Sequence, residues 1–202
     1  MKLYVEGGGN SKAMQRECAR GFRKFAERAG IAPMLLTIVA CGGRHDAYER
    51  FSLSHTADVQ LALLLVDSEA PVSAPATAAE PWAQLGDEWS QPTNATDDQC
   101  HLMVQVMESW LLADRETLSS YYGRGFLPNR LPGNPRVEDI PKADVLAGLA
   151  GATRNTQKGT YAKGSHAFEI LASLDPSTVE GAAPYAKRLL DVLRRHATRR
   201  EP

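Results

Sequence analysis

The stretch Leu61–Glu69, LALLLVDSE, constrains this chain more than any other. Its apolar run lacks helical periodicity and ends at Asp67-Ser68-Glu69 and then Pro71, which reads as a strand buried on both faces. In an extended segment, side chains two positions apart point the same way, so Asp67 and Glu69 are expected to present two carboxylates to one point. Open α/β sheets bind ligands outside the carboxyl ends of their strands. The strand tip is therefore a candidate site, against the plainer reading of a turn with solvated acids.

The N-terminal segment repeats that pattern. Lys2–Val5 is short and β-prone and runs into Glu6-Gly7-Gly8-Gly9-Asn10-Ser11. The glycines permit a sharp turn that projects Glu6 over the sheet end, with Asn10 or Ser11 as helix cap. The GxxxxGK[ST] spacing of a phosphate loop is absent. Lys12–Ala29 follows as a helix with Met14, Cys18, Phe22 and Phe25 on its apolar seam. Its other faces carry Arg16, Arg20, Arg23, Lys24 and Arg28, a phosphate-binding surface or a merely solvated one.

The run Pro33–Cys41 reads as another buried strand, ended by Gly42-Gly43-Arg44-His45-Asp46, and Asp46–Ser54 as a short helix. The order β, α, β, α, β with right-handed crossovers gives a parallel sheet. Glu6, Arg44, Asp67 and Glu69 then share one edge. His45 reads as a surface loop histidine rather than a base or ligand.

Residues 70–98 change composition and read as an insertion: a mobile loop at Pro71–Ala79, a short helix burying Trp82, Leu85 and Trp89, and a second polar loop. Gln99–Met107 is expected as a fourth strand, with Glu108 opening a helix that continues toward Leu118. A carboxylate there also suits the helix dipole. Arg124–Pro141 reads as loop, while Lys142–Leu149, Gly164–Leu174 and Pro184–His196 read as helices, the last amphipathic with a frayed basic tail. Residues 1–120 are thus expected to form the α/β core, and 121–202 a loop and helical extension packed on it.

With 202 residues and 43% hydrophobic content, the chain supports one sizeable core. A net charge of -1 supplies no global basic field, so contact with nucleic acid must use local patches. Three cysteines without a CxxC pair, and no signal pattern, point to a reduced cytoplasmic protein. No apolar run reaches membrane-spanning length.

Val5-Glu6-Gly7 on a first strand and Asp67-Ser68-Glu69 on a third resemble the Toprim domain of topoisomerases, bacterial primases and overcoming-lysogenization-defect (OLD) nucleases. More broadly, VEGGG, ECARGFRKF, ACGGRHDAYERF, LLLVDSE, HLMVQVMESWLLAD and YAKGSHAFEILASLDP look like an uncharacterised bacterial family often encoded beside AAA-type ATPases. The Toprim resemblance implies that Glu6, Asp67 and Glu69 bind Mg2+ or Mn2+ and that Glu6 moves a proton. Glu69 replaces the second Asp of the DxD pattern and stays a hard oxygen ligand. Asn10 stands where OLD nucleases have a further acid, so Glu108 or Asp114 is expected to supply the missing carboxylate. A late lysine is also implied, with Lys163 and Lys158 as candidates. Lys163 is assigned to catalysis, and Lys158 joins Arg20 and Arg44 in binding nucleic acid.

The resulting expectation is a magnesium-dependent nuclease cleaving DNA or RNA, working with an ATPase partner in anti-phage defence. Homo-oligomerisation is compatible with the sequence. Nucleotidyl transfer on the same acids and a non-catalytic ATPase partner are the alternatives.

Overall fold

The computed structural model describes residues 1–57, 61–73, 80–85 and 89–198. Four strands, β1 (Lys2–Gly8), β2 (Thr37–Gly42), β3 (Ala62–Asp67) and β4 (Cys100–Met103), form a sheet in the order β2-β1-β3-β4. All three pairings are parallel. The fold is α/β, as the alternation of buried runs and helical segments predicts.

Alternation along the strands divides the core. Leu3, Val5, Leu63 and Leu65 belong to one apolar cluster with Cys18, Phe22 and Phe25 of helix α1 (Lys12–Arg28). Tyr4, Leu64 and Val66 belong to a second with Phe51 of α2 (Arg44–Ala57) and Trp82 of α3 (Pro81–Gln84). Helix α1 leads from β1 to β2 on one face, and α2 returns to β3 on the other, as right-handed crossovers in opposite directions require. The chain thereby leaves β1 and β3 toward opposite faces. A crevice opens between their carboxyl ends, the topological switch point where such sheets bind ligands.

The fourth connection is less regular than expected. Expected as a strand through Met107, the segment pairs only to Met103, although Gln105 O still accepts the Glu69 N–H at 2.9 Å. The helix expected to run on from Glu108 breaks at Asp114 into α4 (Glu108–Ala113) and α5 (Arg115–Tyr122). Asp114 leaves helical geometry (φ -107°, ψ 79°) and caps α5 with its own carboxylate. Similarly, Pro33–Leu35 is a 3-10 turn and not the start of β2, with proline in the first turn, where its missing N–H costs nothing.

The remaining helices are α6 (Lys142–Thr153), α7 (Ser165–Leu171), α8 (Pro176–Ala182) and α9 (Pro184–Thr198). Helix α8 was not expected from the sequence; Asp175 caps it by accepting from Ser177 N, and Pro176 fills its first turn. Leu149, Ile170, Val179 and Leu189 join the cluster of Leu3 and Leu65. Helix α9 is fastened to β4 by Arg188, which donates to Cys100 O at 2.7 Å beside buried His101. Most of the loop expected at Pro71–Ala79 (74–79) and the end of the basic tail (199–202) lie outside the described residues. No described helix is long and apolar enough to cross a membrane.

Candidate metal centre

Glu6 near the end of β1 and Asp67 at the end of β3 meet across the crevice. The Asp67 N–H donates to Glu6 Oε2 at 3.0 Å, and Asp67 Oδ1 accepts the Met107 N–H at 2.9 Å. Glu69 completes the group: one carboxylate oxygen each from Glu6, Asp67 and Glu69 lie within 4.8 Å of one another. The route differs from expectation. Glu69 is not the next extended residue of the strand but sits at φ 64°, past the end of β3. Its backbone turn, held by Gln105 O, brings the carboxylate to the cluster.

Three acids this close resist ionising together. Burial raises the Glu6 pKa and Glu69 raises it further, against the lowering effects of the Asp67 N–H, Arg44 and Lys163. Asp67 is pushed well above its ordinary value, chiefly by burial and then by Glu6 and Glu108, while Lys163 and the Met107 N–H oppose the shift. A bound cation would relieve this crowding.

Glu108, next to the Met107 N–H that Asp67 accepts, adds a fourth carboxylate to the site. It opens α4 and is 0% exposed. Its Oε1 accepts the Tyr161 hydroxyl at 2.9 Å and lies 3.9 Å from Lys163 Nζ, whereas Oε2 has no hydrogen-bond partner. Leaving a buried acceptor unmet costs about 1–3 kcal/mol, more for a charged group. Glu6, Asp67, Glu108 and Lys163 all line one cleft of about 490 Å3, with Asn10 at its rim. Asn10 makes the cleft one carboxylate poorer there.

The glycine-rich turn lets the chain pass close to α1. Gly8 has φ 84°, and a Cβ on it would lie 2.6 Å from Gln15 Cα. Ser11 occupies the cap position of α1, yet neither it nor Asn10 bonds a helix N–H through its side chain, contrary to expectation. Gly164, beside Lys163, also has positive φ, and a Cβ there would lie 2.7 Å from Met14 Cε. Close packing of α1 against this loop holds Lys163 at the cleft.

Other candidates separate from the cleft. Asp114 does not supply the missing acid: Oδ1 accepts from Thr117 N, and Oδ2 accepts from Thr117 Oγ1 and Asp175 N. It is a buried cap and corner brace. Arg20 pairs with Glu17 on the outer face of α1. Lys158 sits over the Tyr121 ring, 4.5 Å from its centroid. Arg44 biases Glu6 electrostatically, but its guanidinium donates to Leu85 O and stacks 4.8 Å from the Trp89 centroid. His45 is exposed on α2. The thiols of Cys18, Cys41 and Cys100 are buried, and burial pushes Cys18 up to about 12, which removes it as a nucleophile.

Two residues at the site escaped the sequence reading. Tyr161 touches Glu108 from 53 positions away, and Lys142 pairs with Glu69 from 73 positions away. Burial disfavours the Lys142 ammonium, but its bond to Glu69 and the charges of Glu69, Asp67 and Glu108 outweigh this and raise its pKa. Tyr161 lies in the KGTYAKG segment already singled out for its lysines, and Lys142 had no local signal.

No curated protein and no solved structure matches the chain significantly. A family model described as Domain of unknown function (DUF4276) matches residues 5–194, a span that includes Glu6, Asp67, Glu69 and Glu108, and the chain belongs to that family.

Proposed function

We propose that this cleft is a divalent-metal centre and that the chain is a Toprim-type nuclease cleaving phosphodiesters of DNA or RNA. One observation carries the reading. A fully buried glutamate keeps a carboxylate oxygen without a partner, beside three further acids whose oxygens lie within 4.8 Å of one another. Buried charge without a partner is costly; the buried oxygen of Glu180 that also lacks a hydrogen bond is paired with Arg194 at 2.7 Å, and buried Asp114 has donors on both oxygens.

Hard oxygen donors of this kind suit Mg2+ or Mn2+. Glu6, Asp67 and Glu69 would hold one cation, and Asp67 with Glu108 Oε2 a second. Bound there, the metal would supply Lewis-acid stabilisation of charge on a phosphoryl group. Glu6, half-buried and with its pKa raised by burial, is the acid of the cluster suited to hold and pass a proton. Lys163 brings positive charge to the cleft mouth for a phosphate. The resemblance to proteins encoded beside AAA-type ATPases supports an effector role in anti-phage defence with such an ATPase as partner.

The test is calorimetric titration with Mn2+, followed by incubation with plasmid and RNA in Mg2+ or Mn2+. The expected result is saturable metal binding, together with cleavage that disappears in Asp67→Asn. A wild-type chain that binds neither metal would end the reading. If Arg20 and Arg44 contribute phosphate contacts, reversing either charge reduces the salt dependence of nucleic-acid binding.

A further inference from the structure

Glu108 is held by a partner with no place in the acidic motif. Tyr161 reaches it from the loop between α6 and α7, and that loop is itself fixed: the Tyr161 N–H donates to Thr153 Oγ1, which donates in turn to Leu149 O at 2.8 Å within α6. The tyrosine hydroxyl then occupies Oε1 at 2.9 Å. Oε2 is left bare and buried. Of the two carboxylate oxygens, one is committed to a neutral donor and the other is available to the cleft that Glu108 and Asp67 both line.

We infer that Tyr161 is a positioning residue for the metal centre, fixing the Glu108 carboxylate so that Oε2 alone serves as a one-oxygen ligand beside Asp67. This rests on the metal-centre reading and goes beyond it. The hydroxyl does three things at once. It satisfies one oxygen without neutralising the charge, blocks two-oxygen chelation by Glu108, and prevents rotation of the carboxylate away from Asp67. Outer partners that orient metal ligands typically contribute 10- to 100-fold in affinity. Lys163 does not duplicate the role, because at 3.9 Å and 60% side-chain exposure its ammonium is a loose neighbour of the same oxygen.

The experiment titrates Mn2+ into the full chain as wild type, Tyr161→Phe, Glu108→Gln and the double variant. The expected result is two classes of Mn2+ site in the wild type. In Tyr161→Phe the weaker class loses affinity about tenfold or more, with the tighter class unchanged, while the metal-free melting temperature falls because buried Glu108 Oε1 loses its donor. In the Glu108→Gln background the same substitution has no further effect, because the tyrosine acts through the glutamate. Thr153→Val, which frees the tyrosine backbone without touching Glu108, shifts the same class in the same direction by less. Wild-type affinity for both ions in Tyr161→Phe overturns the inference while leaving the metal centre standing, as does an equal loss in the Glu108→Gln background. Absence of any Mn2+ binding by the wild type overturns both.

Discussion

The two ends of helix α4 carry buried carboxylates in opposite states. Asp114 at the C-terminal end has three donors on its two oxygens, from Thr117 N, Thr117 Oγ1 and Asp175 N. Glu108 at the N-terminal end has one tyrosine hydroxyl, a distant ammonium and an oxygen with nothing on it. Both are acidic, buried and at a helix end, so residue type and position do not separate them. Satisfaction does. An acid that exists to hold the fold is met on every side by the fold, whereas an acid kept for a ligand bears an unmet cost until the ligand arrives.

The sharpest way to break this comparison is to remove the shared acid of the cleft. Asp67→Asn is expected to lower Mn2+ affinity by at least about 100-fold, the upper end of what outer partners of a metal site contribute. Its metal-free melting temperature should hold or rise, since Asp67 crowds Glu6 and Glu108 and is already pushed toward its neutral form. An equally large loss of metal-free stability would place Asp67 with Asp114 among the structural acids.

Asp114→Ala should do the reverse. Three donors, one of them opening α8 through Asp175, lose a charged acceptor, and a stability loss of about 3 kcal/mol follows from buried hydrogen bonds to a charged group. Denaturant unfolding measures it, and Mn2+ affinity of the folded fraction should match wild type. A large drop in that affinity would join the α4–α5 corner to the site.

The contrast also shows what the sequence could disclose. Strand-length apolar runs ending in acids located Glu6 and Asp67, because a parallel sheet delivers every strand's carboxyl end to one edge and the topology fixes which strands adjoin. Glu108 was expected just past a fourth strand; β4 does pair with β3 but ends at Met103, and Glu108 reaches the cleft through the irregular segment that follows, at the start of α4. Asp114 stood in the sequence as the alternative to Glu108, because its partners, Thr117 and Asp175, belong to a helix break and a helix that local periodicity did not show. Glu69 was placed correctly for the wrong local reason: its left-handed backbone, and not strand alternation, aims it. Tyr161 and Lys142 arrive through tertiary packing alone, which no spacing rule encodes.

Titration sharpens the comparison further. Glu6 and Asp67 have folded-state pKa values above their ordinary ones, and burial raises Glu138 to about 8 despite its bonds from the Tyr185 and Ala186 N–H groups at the start of α9. Each therefore contributes stability that is present below the unfolded carboxylate pKa of about 4 and is lost as pH rises through the raised folded value. Buried His101, lowered to about 3, opposes this trend below its unfolded value of about 6.5, so the metal-free melting temperature should fall between about pH 6.5 and pH 8, as Glu138 ionises. Saturating Mn2+ should flatten the share due to Glu6 and Asp67, because a cation favours their charged forms. The share due to Glu138, remote from the cleft lining, should persist near pH 8 with or without metal. A melting temperature that climbs from about pH 6.5 to pH 8 without metal would contradict the raised pKa of Glu138.

The smallest effect on stability belongs to Lys142, the cation already at the cluster. Its pair with Glu69 is partly exposed on both sides, 30% and 43%, and pairs of this kind contribute about 0–1 kcal/mol. Lys142→Met should accordingly leave the metal-free melting temperature nearly unchanged. Metal binding should respond more clearly, and in the opposite sense from every acid variant. The ammonium holds a Glu69 oxygen and lies close enough to Asp67 and Glu108 for both to raise its pKa, so it provides the positive charge that a divalent ion must displace. Removing it frees Glu69 but also withdraws charge that would otherwise repel the metal, and both changes favour Mn2+. Affinity is expected to rise severalfold by calorimetry, with a stronger dependence on salt, because the site then attracts the ion with one more net negative charge for salt to screen. A fall in affinity would mean that Lys142 holds Glu69 in place for the ion, as Tyr161 holds Glu108, and the cluster would then have two positioning residues.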